Sequence, residues 1–173
     1  MKYLLQVTIL IFVLLLPLSI MAFQNEPNGF RGLEWGTDLS SLKNIELIED
    51  GKSGNFVKVY RIKNDELLIG DAKLEYIKYY EWKGKLYEVW ILAKGNVNVD
   101  NLMAACAKQF GPVRAWDYND EYTSSLIYTW RAKTTTIILR KDSDTATLIL
   151  RSREIEDLIQ KERKEKQEGE KHE

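Results

Sequence analysis

The chain has 173 residues, and its 25 basic side chains nearly balance its 26 acidic ones, which argues against a nucleic-acid partner because such a partner requires a strongly positive surface. The single histidine, His172, is the next-to-last residue, where chains fray, so catalytic triads and zinc sites that depend on histidine are excluded. The single cysteine, Cys106, has no second thiol to form an internal disulfide, so the fold must rely on packing.

The N-terminal segment, MKYLLQVTILIFVLLLPLSIMAF, has the anatomy of a secretory signal. A lysine supplies its positive end, residues 7–16 are almost wholly apolar, and Ile20 and Ala22 occupy the minus-three and minus-one places of a cleavage site. Residues 1–22 are therefore predicted to be a signal peptide. The protein is expected to be exported, and to be periplasmic if the source is a Gram-negative bacterium and secreted otherwise. The alternative is an uncleaved N-terminal membrane anchor, for which the apolar run is short.

Residues 23–29 are polar and predict a linker, and residues 30–160 are predicted to form a single domain. "FRGLEW" predicts a short strand. "GTDLSSLKN" predicts a short helix with Thr37 or Asp38 as its N-cap. "EDGKSGN" is typical of a loop, and "FVKVYRI", which is rich in β-branched and aromatic residues, predicts a strand.

The next segment, LEYIKYYEWKGKLYEVWIL, predicts a β-hairpin that turns at its Lys-Gly dipeptide. If Trp82 opposes Lys85 across this turn, then Tyr80 opposes Tyr87. That register places large rings on both faces of the hairpin. Because a sheet in a layered fold usually buries only one face, some of these rings are expected to stay partly exposed.

"NVDNLMAACAKQFGPV" is the clearest helix, since its apolar residues recur at three- and four-residue steps. Asn98 or Asp100 is its expected cap, and Gly111 with Pro112 its expected end. "SLIYTW", "TTTIILR" and "TATLILR", joined by short links, predict an antiparallel meander. Ser152 is the expected N-cap of a last helix.

Together these elements predict an α+β fold in which an antiparallel sheet of two successive meanders has helices packed on one face, followed by a charged C-terminal helix. A helix-plus-meander unit used twice is one arrangement that fits. Residues 161–173 are predicted to be a charged tail. The core is expected to contain a set of large apolar residues from every element: Trp35, Ile77, Leu86, Trp90, Phe110, Ile137 and Leu148.

The motifs FRGLEWGT, YRIKNDELLIGDAKLEYIKYYEWKGKLYEVWI, LMAACAKQFGPV and a Trp strand before TTTIILR resemble a group of small exported bacterial proteins of uncharacterised function. Members pair an F-x-G-[IL]-x-W-G-T opening with an aromatic hairpin and a helix that ends in FGP. The resemblance covers Phe30 to about Ser152. More distantly, the helix and meander are similar to the modules of β-lactamase-inhibitor proteins and of small outer-membrane assembly lipoproteins, which implies a binding module. The lipidation cysteine of the latter is missing here.

Carboxylates can catalyse without histidine, as in a hydrolase that uses two of them on a sugar or cell-wall substrate. The candidates are acidic residues of the hairpin and of the segment AWDYNDEY: Glu75, Glu81, Glu88, Asp117, Asp120 and Glu121. Glutamates that alternate with lysines on half-exposed strands are more typical of cross-strand partners, so the protein is predicted not to be an enzyme. Cys106 lies on the apolar stripe of its helix and is expected to be buried and inert.

Tyr and Trp are favoured where one side of a ring is buried and its polar tip is wet. The candidate binding residues are rings of the hairpin and of AWDYNDEY: Tyr79, Tyr80, Trp82, Tyr87, Trp116 and Tyr118. The predicted function is therefore a non-catalytic exported binding module that contacts a protein or an envelope polymer through an aromatic hairpin face. No cofactor, metal or nucleic acid is expected, and a membrane only through an uncleaved N-terminal segment.

Overall fold

The computed structural model describes residues 27–51, 57–111 and 125–169. The predicted signal peptide lies outside the described residues. The α+β class is confirmed, since two α-helices accompany antiparallel sheets. The strands are β1 (Gly29–Phe30), β2 (Leu33–Glu34), β3 (Ile45–Asp50), β4 (Val57–Ile62), β5 (Leu68–Ile69), β6 (Ala72–Trp82), β7 (Lys85–Lys94), β8 (Leu126–Arg131), β9 (Thr135–Lys141) and β10 (Thr145–Ser152). The helices are a 3₁₀ helix (Leu39–Ser41), α1 (Asn96–Phe110) and α2 (Arg153–Gly169).

The main sheet has the strand order β3-β4-β6-β7-β10-β9-β8, and every neighbouring pair is antiparallel. The main sheet is built from two halves of the chain. In the first half the 3₁₀ helix precedes β3, β4, β6 and the central strand β7, and in the second half α1 precedes β8, β9 and the central strand β10. The two central strands, β7 and β10, pair with each other and join the halves into one sheet. The short β5 pairs with the start of β6, and β1 and β2 form a separate ribbon.

The β6–β7 hairpin turns at Lys83 and Gly84, which both have positive φ (49° and 75°), as the favoured two-residue turn requires. Trp82 opposes Lys85 as predicted, but a β-bulge follows, and Tyr80 pairs with Glu88. The predicted register, with Tyr80 opposite Tyr87, is therefore wrong by one residue beyond the bulge.

A one-residue shift moves every following side chain to the other face of a sheet. Val89 and Ile91 consequently lie beside Tyr79 and Ile77 on one face, and all four are buried. Trp90, predicted in the core, lies on the opposite face and is partly exposed. The bulge thus divides the hairpin into an apolar face and an aromatic, polar one.

Helix α1 packs on the apolar face, which we call the covered face, through Val99, Leu102, Cys106 and Phe110. Burial of a side chain as large as Val99, Leu102 or Phe110 contributes about 1.5–3 kcal/mol. The predicted cap is wrong, because the helix begins after Gly95 with no side-chain cap. The other core residues predicted from the sequence are buried on this face, or in one case packed against it: Ile77, Leu86, Ile137, Leu148 and the partly buried Trp35.

Asn98 instead connects α1 to the sheet. Its Oδ1 accepts a hydrogen bond from the backbone N–H of Lys73 (3.1 Å), and its Nδ2 donates to the carbonyl of Lys94 (3.0 Å). Gly111 ends the helix as predicted, with φ of 87° and its N–H donating to the carbonyl of Ala107.

The N-terminal segment also packs on the covered face. "FRGLEW" forms the tight ribbon β1–β2 and not the single predicted strand. Trp35 Nε1 donates to Thr135 Oγ1 at 2.8 Å, and the ring of Phe30 lies 6.1 Å from that of Tyr79, centroid to centroid. Asp38 caps the 3₁₀ helix by accepting from the N–H of Ser40 at 2.9 Å.

Helix α2 follows β10 directly, and Ser152 Oγ accepts from the N–H of Ile155 at 3.4 Å, as its predicted cap role requires. Ile155 and Ile159 are buried, whereas Leu158 is 42% exposed. The helix continues to Gly169, well into the predicted charged tail. Within the three described ranges, no helix is long and apolar enough to span a membrane.

Candidate functional site

The surface of the main sheet opposite α1 carries large side chains that are each partly exposed. We call it the open face. Its members come from β6, β7, β9 and β10: Tyr76, Tyr80, Trp82, Tyr87, Trp90, Leu92, Ile138 and Ile149. Five of these eight residues are aromatic, so rings are the main large side chains on this surface.

The centre of the open face is a row of residues that oppose one another across strands. Trp90 pairs with Lys78 on β6 and with Ile149 on β10, and Ile149 pairs in turn with Ile138 on β9. The rings of Tyr80 and Trp90 are 5.4 Å apart between centroids and tilted by 41°. This contact is within the range of stabilising aromatic pairs, so the rings hold one another in place.

Three of the predicted binding residues, Tyr80, Trp82 and Tyr87, lie together on the open face. Tyr79 does not, and its assignment to an exposed patch is wrong. Its side chain is 0% exposed on the covered face, and its hydroxyl donates to Asp65 Oδ2 at 2.6 Å.

The remaining predicted rings, Trp116 and Tyr118, lie outside the described residues. Sequence reasoning missed the other members of the open face: Tyr76, Trp90, Leu92, Ile138 and Ile149. Alternation alone gave no usable signal, because residues 89–92 are all apolar and the bulge decides which of them face the core.

The phenols of Tyr80 and Tyr87 stay neutral at physiological pH. Burial, followed by the negative charge of Glu88, raises the pKa of both Tyr80 and Tyr87 to about 12. These hydroxyls therefore remain hydrogen-bond donors as well as acceptors toward any bound partner.

A cleft of about 280 Å³ extends the open face beneath the C-terminal helix. We call it the α2 cleft. The sheet contributes Trp82, Tyr87 and Arg151 to its walls, and α2 contributes Ile159, Gln160 and Arg163. Each wall thus combines apolar and polar side chains, and Trp82 and Tyr87, two of the predicted binding rings, lie among them.

A chain of charges forms the floor of the α2 cleft. Glu88 is only 4% exposed, and its carboxylate accepts from Trp90 Nε1 (2.6 Å) and from Arg151 Nε. A terminal nitrogen of Arg151 donates to Glu156 Oε1 at 2.7 Å. Each buried charge therefore has a partner of opposite sign, which makes the floor rigid.

The hairpin carboxylates proposed as catalytic do not share a cleft. Glu81 is 3% exposed and faces the covered side, where its Oε2 accepts from the backbone N–H of Leu39 at 3.1 Å. Glu88 lies on the opposite side, at the α2 cleft, and Glu75 is exposed. The other acidic candidates lie outside the described residues: Asp117, Asp120 and Glu121.

Two further carboxylates, Glu156 and Glu162, do line the α2 cleft. Hydrogen bonds from Lys83 and Lys166 lower the pKa of Glu162, and Glu156 accepts from Arg151. A general acid in a glycosidase needs a raised pKa. Glu162 is thus better suited to accepting hydrogen bonds than to releasing a proton.

The covered face contains a second cavity, of about 270 Å³, between the β1–β2 ribbon, α1 and β10. Its lining includes Cys106, Phe110 and Leu148, and burial raises the pKa of the Cys106 thiol to about 12. Such a thiol is not a nucleophile at neutral pH. No group of three potential metal ligands occurs within the described ranges.

No family model matches the sequence, and no curated protein matches it. Among solved structures, the chain is similar to a DUF4309 family protein (YjgB) from Bacillus subtilis, with a TM-score of 0.36 and 17% sequence identity. The similarity covers 61% of this chain and 70% of that one. A likeness at this level carries no argument about fold or function.

Proposed function

We propose that the protein is a non-catalytic, exported binding module that contacts a protein or an envelope polymer through the open face. The observation that carries the proposal is the gathering of Tyr80, Trp82, Tyr87 and Trp90 on one side of a sheet, each ring partly exposed. Contiguous exposed aromatic surface is what interfaces and binding grooves use.

The packing on the other face of the sheet also supports this proposal. The apolar core and α1 lie on the covered face. The rings of the open face are therefore not part of this core. The rings also rest on firm neighbours, since Glu88 and Trp90 are hydrogen-bonded to each other and Glu88 is paired with Arg151. A rigid aromatic surface loses little entropy on binding.

Export rests on the N-terminal segment and on the resemblance of Phe30 to about Ser152 to small exported bacterial proteins. Export is tested by measuring the mass of the protein recovered from an envelope fraction of the cells that produce it. Cleavage after Ala22 gives a chain that begins at Phe23. An unprocessed chain in the membrane fraction would identify residues 1–22 as an anchor, and an unprocessed chain in the cytosol would contradict export altogether.

The test of binding compares two triple variants in capture experiments on envelope extract. In the first, Tyr80, Trp82 and Tyr87 are replaced by serine. In the control, serine replaces three exposed apolar residues away from the open face: Leu47, Leu67 and Leu68. Capture lost only in the first variant, with cooperative thermal unfolding retained, supports the proposal. Equal capture by both variants, or loss of cooperative folding in the first, contradicts it.

One observation favours the alternative, a carboxylate-dependent hydrolase of sugar or cell-wall substrates. Glu88, Glu156 and Glu162 line a single cleft. Glycosidases place two such carboxylates on either side of the bond that they break. Release of new reducing ends from cell-wall polymer by the wild-type protein, abolished in Glu156→Gln, would establish this activity in place of simple binding.

A further inference from the structure

Resting on the proposed function, we infer that the α2 cleft is the subsite for one uncharged sugar unit of a glycan chain, whose neighbouring units cross the rings of the open face. Trp82 and Tyr87 belong to both surfaces, so the cleft and the open face are continuous. The volume of about 280 Å³ is slightly below the range of drug-sized ligand pockets, which span roughly 300–1,000 Å³. It suits a single ring-sized unit and not a bulkier ligand.

The walls supply both kinds of contact that a sugar makes. A pyranose has an apolar face of C–H groups and a rim of hydroxyls. Trp82, Tyr87 and Ile159 offer apolar contact for the face. Arg151, Gln160 and Arg163 offer planar hydrogen-bonding groups for the rim.

Several of these polar groups are available to a ligand. Arg151 uses Nε and Nη1 for its two glutamates, and its Nη2 donates to no group within the described ranges. Gln160 and Arg163 likewise have no hydrogen bond or ion pair within those ranges. Arg151 is fixed by its two glutamates, and Gln160 and Arg163 lie beside it unengaged within the described residues, so the cleft offers the few polar groups that orient a small molecule.

The charge of the cleft selects against polyanions. Three glutamates face three cationic side chains along its lining: Glu88, Glu156 and Glu162 against Arg151, Arg163 and Lys166. Lys83 also pairs with Glu162 but is not part of the lining, where the two signs are equal in number. With the charges balanced in this way, a polymer of phosphates or uronic acids gains no net attraction, whereas uncharged hydroxyls and amides meet both donors and acceptors.

The same floor disfavours a protein side chain as the occupant. An apolar side chain that filled the cleft would exclude water from Arg151 and Glu156 without replacing the lost hydrogen bonds. Protein hot spots are instead dry pockets with apolar anchors. The uncharged glycan is therefore the occupant that the cleft chemistry favours.

The experiment titrates the purified protein with soluble oligomers of N-acetylglucosamine, with oligogalacturonate and with an unrelated polar peptide, and follows tryptophan fluorescence and heat. We expect binding of the first ligand only. The affinity should change little between low and high salt, because neither partner of the contact carries net charge.

Variants then locate the site. Gln160→Ala with Arg163→Ala is expected to weaken binding of the N-acetylglucosamine oligomer about tenfold or more. Both positions are exposed on α2, so folding should be unaffected. The matched control is Lys161→Ala, on the same helix turn but not in the lining, which should leave the affinity unchanged.

Failure of this inference is distinguishable from failure of the proposed function. If the protein captures an envelope component through the open face but no oligomer binds, or if the cleft variants bind like wild type, the sugar subsite is overturned and the binding module stands. Binding of oligogalacturonate alone overturns the charge argument, and capture of a protein without sugar binding identifies a protein partner. If nothing is captured at all, both proposals fall.

Discussion

Glu88 and Arg151 oppose each other on the two central strands, β7 and β10, and the guanidinium of Arg151 donates directly to the buried carboxylate. The pair thus connects the two halves of the sheet at the position where the open face meets the α2 cleft. Trp90 Nε1 also donates to Glu88, so a ring of the open face depends on the same carboxylate for its orientation.

Replacing Arg151 with methionine should therefore destabilise the protein by about 3–5 kcal/mol, because Glu88 is left buried without its cation. The measurement is urea unfolding at neutral pH. The control is Arg140→Ala, which removes the exposed pair with Asp142 and should cost no more than about 1 kcal/mol. A second change, Glu88→Leu, should restore most of the stability that Arg151→Met removes. Equal losses in Arg151→Met and Arg140→Ala would contradict this account.

Much of the fold follows from sequence patterns, since alternation and turn residues are local signals. The α1 helix, the β8–β9–β10 meander and the Lys83-Gly84 turn were predicted from them. Strand β3 was not predicted, because the charges of IELIED mask its alternation, and edge strands tolerate such charges.

The arrangement of the candidate site was harder to predict, because it depends on contacts between distant residues. The bulge at Tyr87 reverses the facing of Trp90, and nothing local in the hairpin sequence specifies it. The carboxylate of Glu81 accepts a hydrogen bond from the backbone N–H of Leu39, 42 positions earlier, and this contact holds the side chain on the covered face. The α2 cleft likewise appears only once β10, α2 and the hairpin are brought together.

Tyr79→Phe should destabilise the protein by about 1.5–3 kcal/mol. The substitution keeps the buried ring but removes the hydroxyl that donates to the carboxylate of Asp65, and hydrogen bonds to charged groups contribute this much. Arg31 pairs with the same carboxylate and would remain. Urea unfolding measures the difference. Tyr76→Phe, on the open face and partly exposed, is the control and should change stability by less than about 0.5 kcal/mol.

Stability should fall as pH rises from about 10 to about 12. Burial raises the pKa of Tyr80 and Tyr87 from 10.0 to about 12, so in this range the unfolded chain has lost phenol protons that the folded chain still holds. The stabilisation is fully present below pH 10 and is lost as pH approaches 12. Urea unfolding at a series of alkaline pH values tests this. The double variant Tyr80→Phe, Tyr87→Phe should show a shallower decline, and an unchanged slope would count against the burial of these phenols.

Of two adjacent apolar residues on α2, only the buried one should hold the helix against the sheet. Ile159 is buried at the α2 cleft, whereas Leu158 is 42% exposed. Ile159→Ala should cost about 2 kcal/mol or more and reduce the helical circular dichroism signal, since the helix loses a main anchor. Leu158→Ala removes a similar volume from the surface and should cost less than about 0.5 kcal/mol. Similar losses in the two variants would mean that α2 packs through another face.

Cys106 should be inert in the folded protein and reactive only after unfolding. The thiol is 2% exposed, and burial raises its pKa to about 12, so at neutral pH almost none of it is the nucleophilic thiolate. An aromatic disulfide reagent should therefore modify it at a rate that follows the unfolded fraction as urea is added. The unfolded protein, with an ordinary thiol pKa, provides the reference rate. Rapid modification in the absence of urea, at a rate independent of global stability, would show that the cavity beside Cys106 opens on its own.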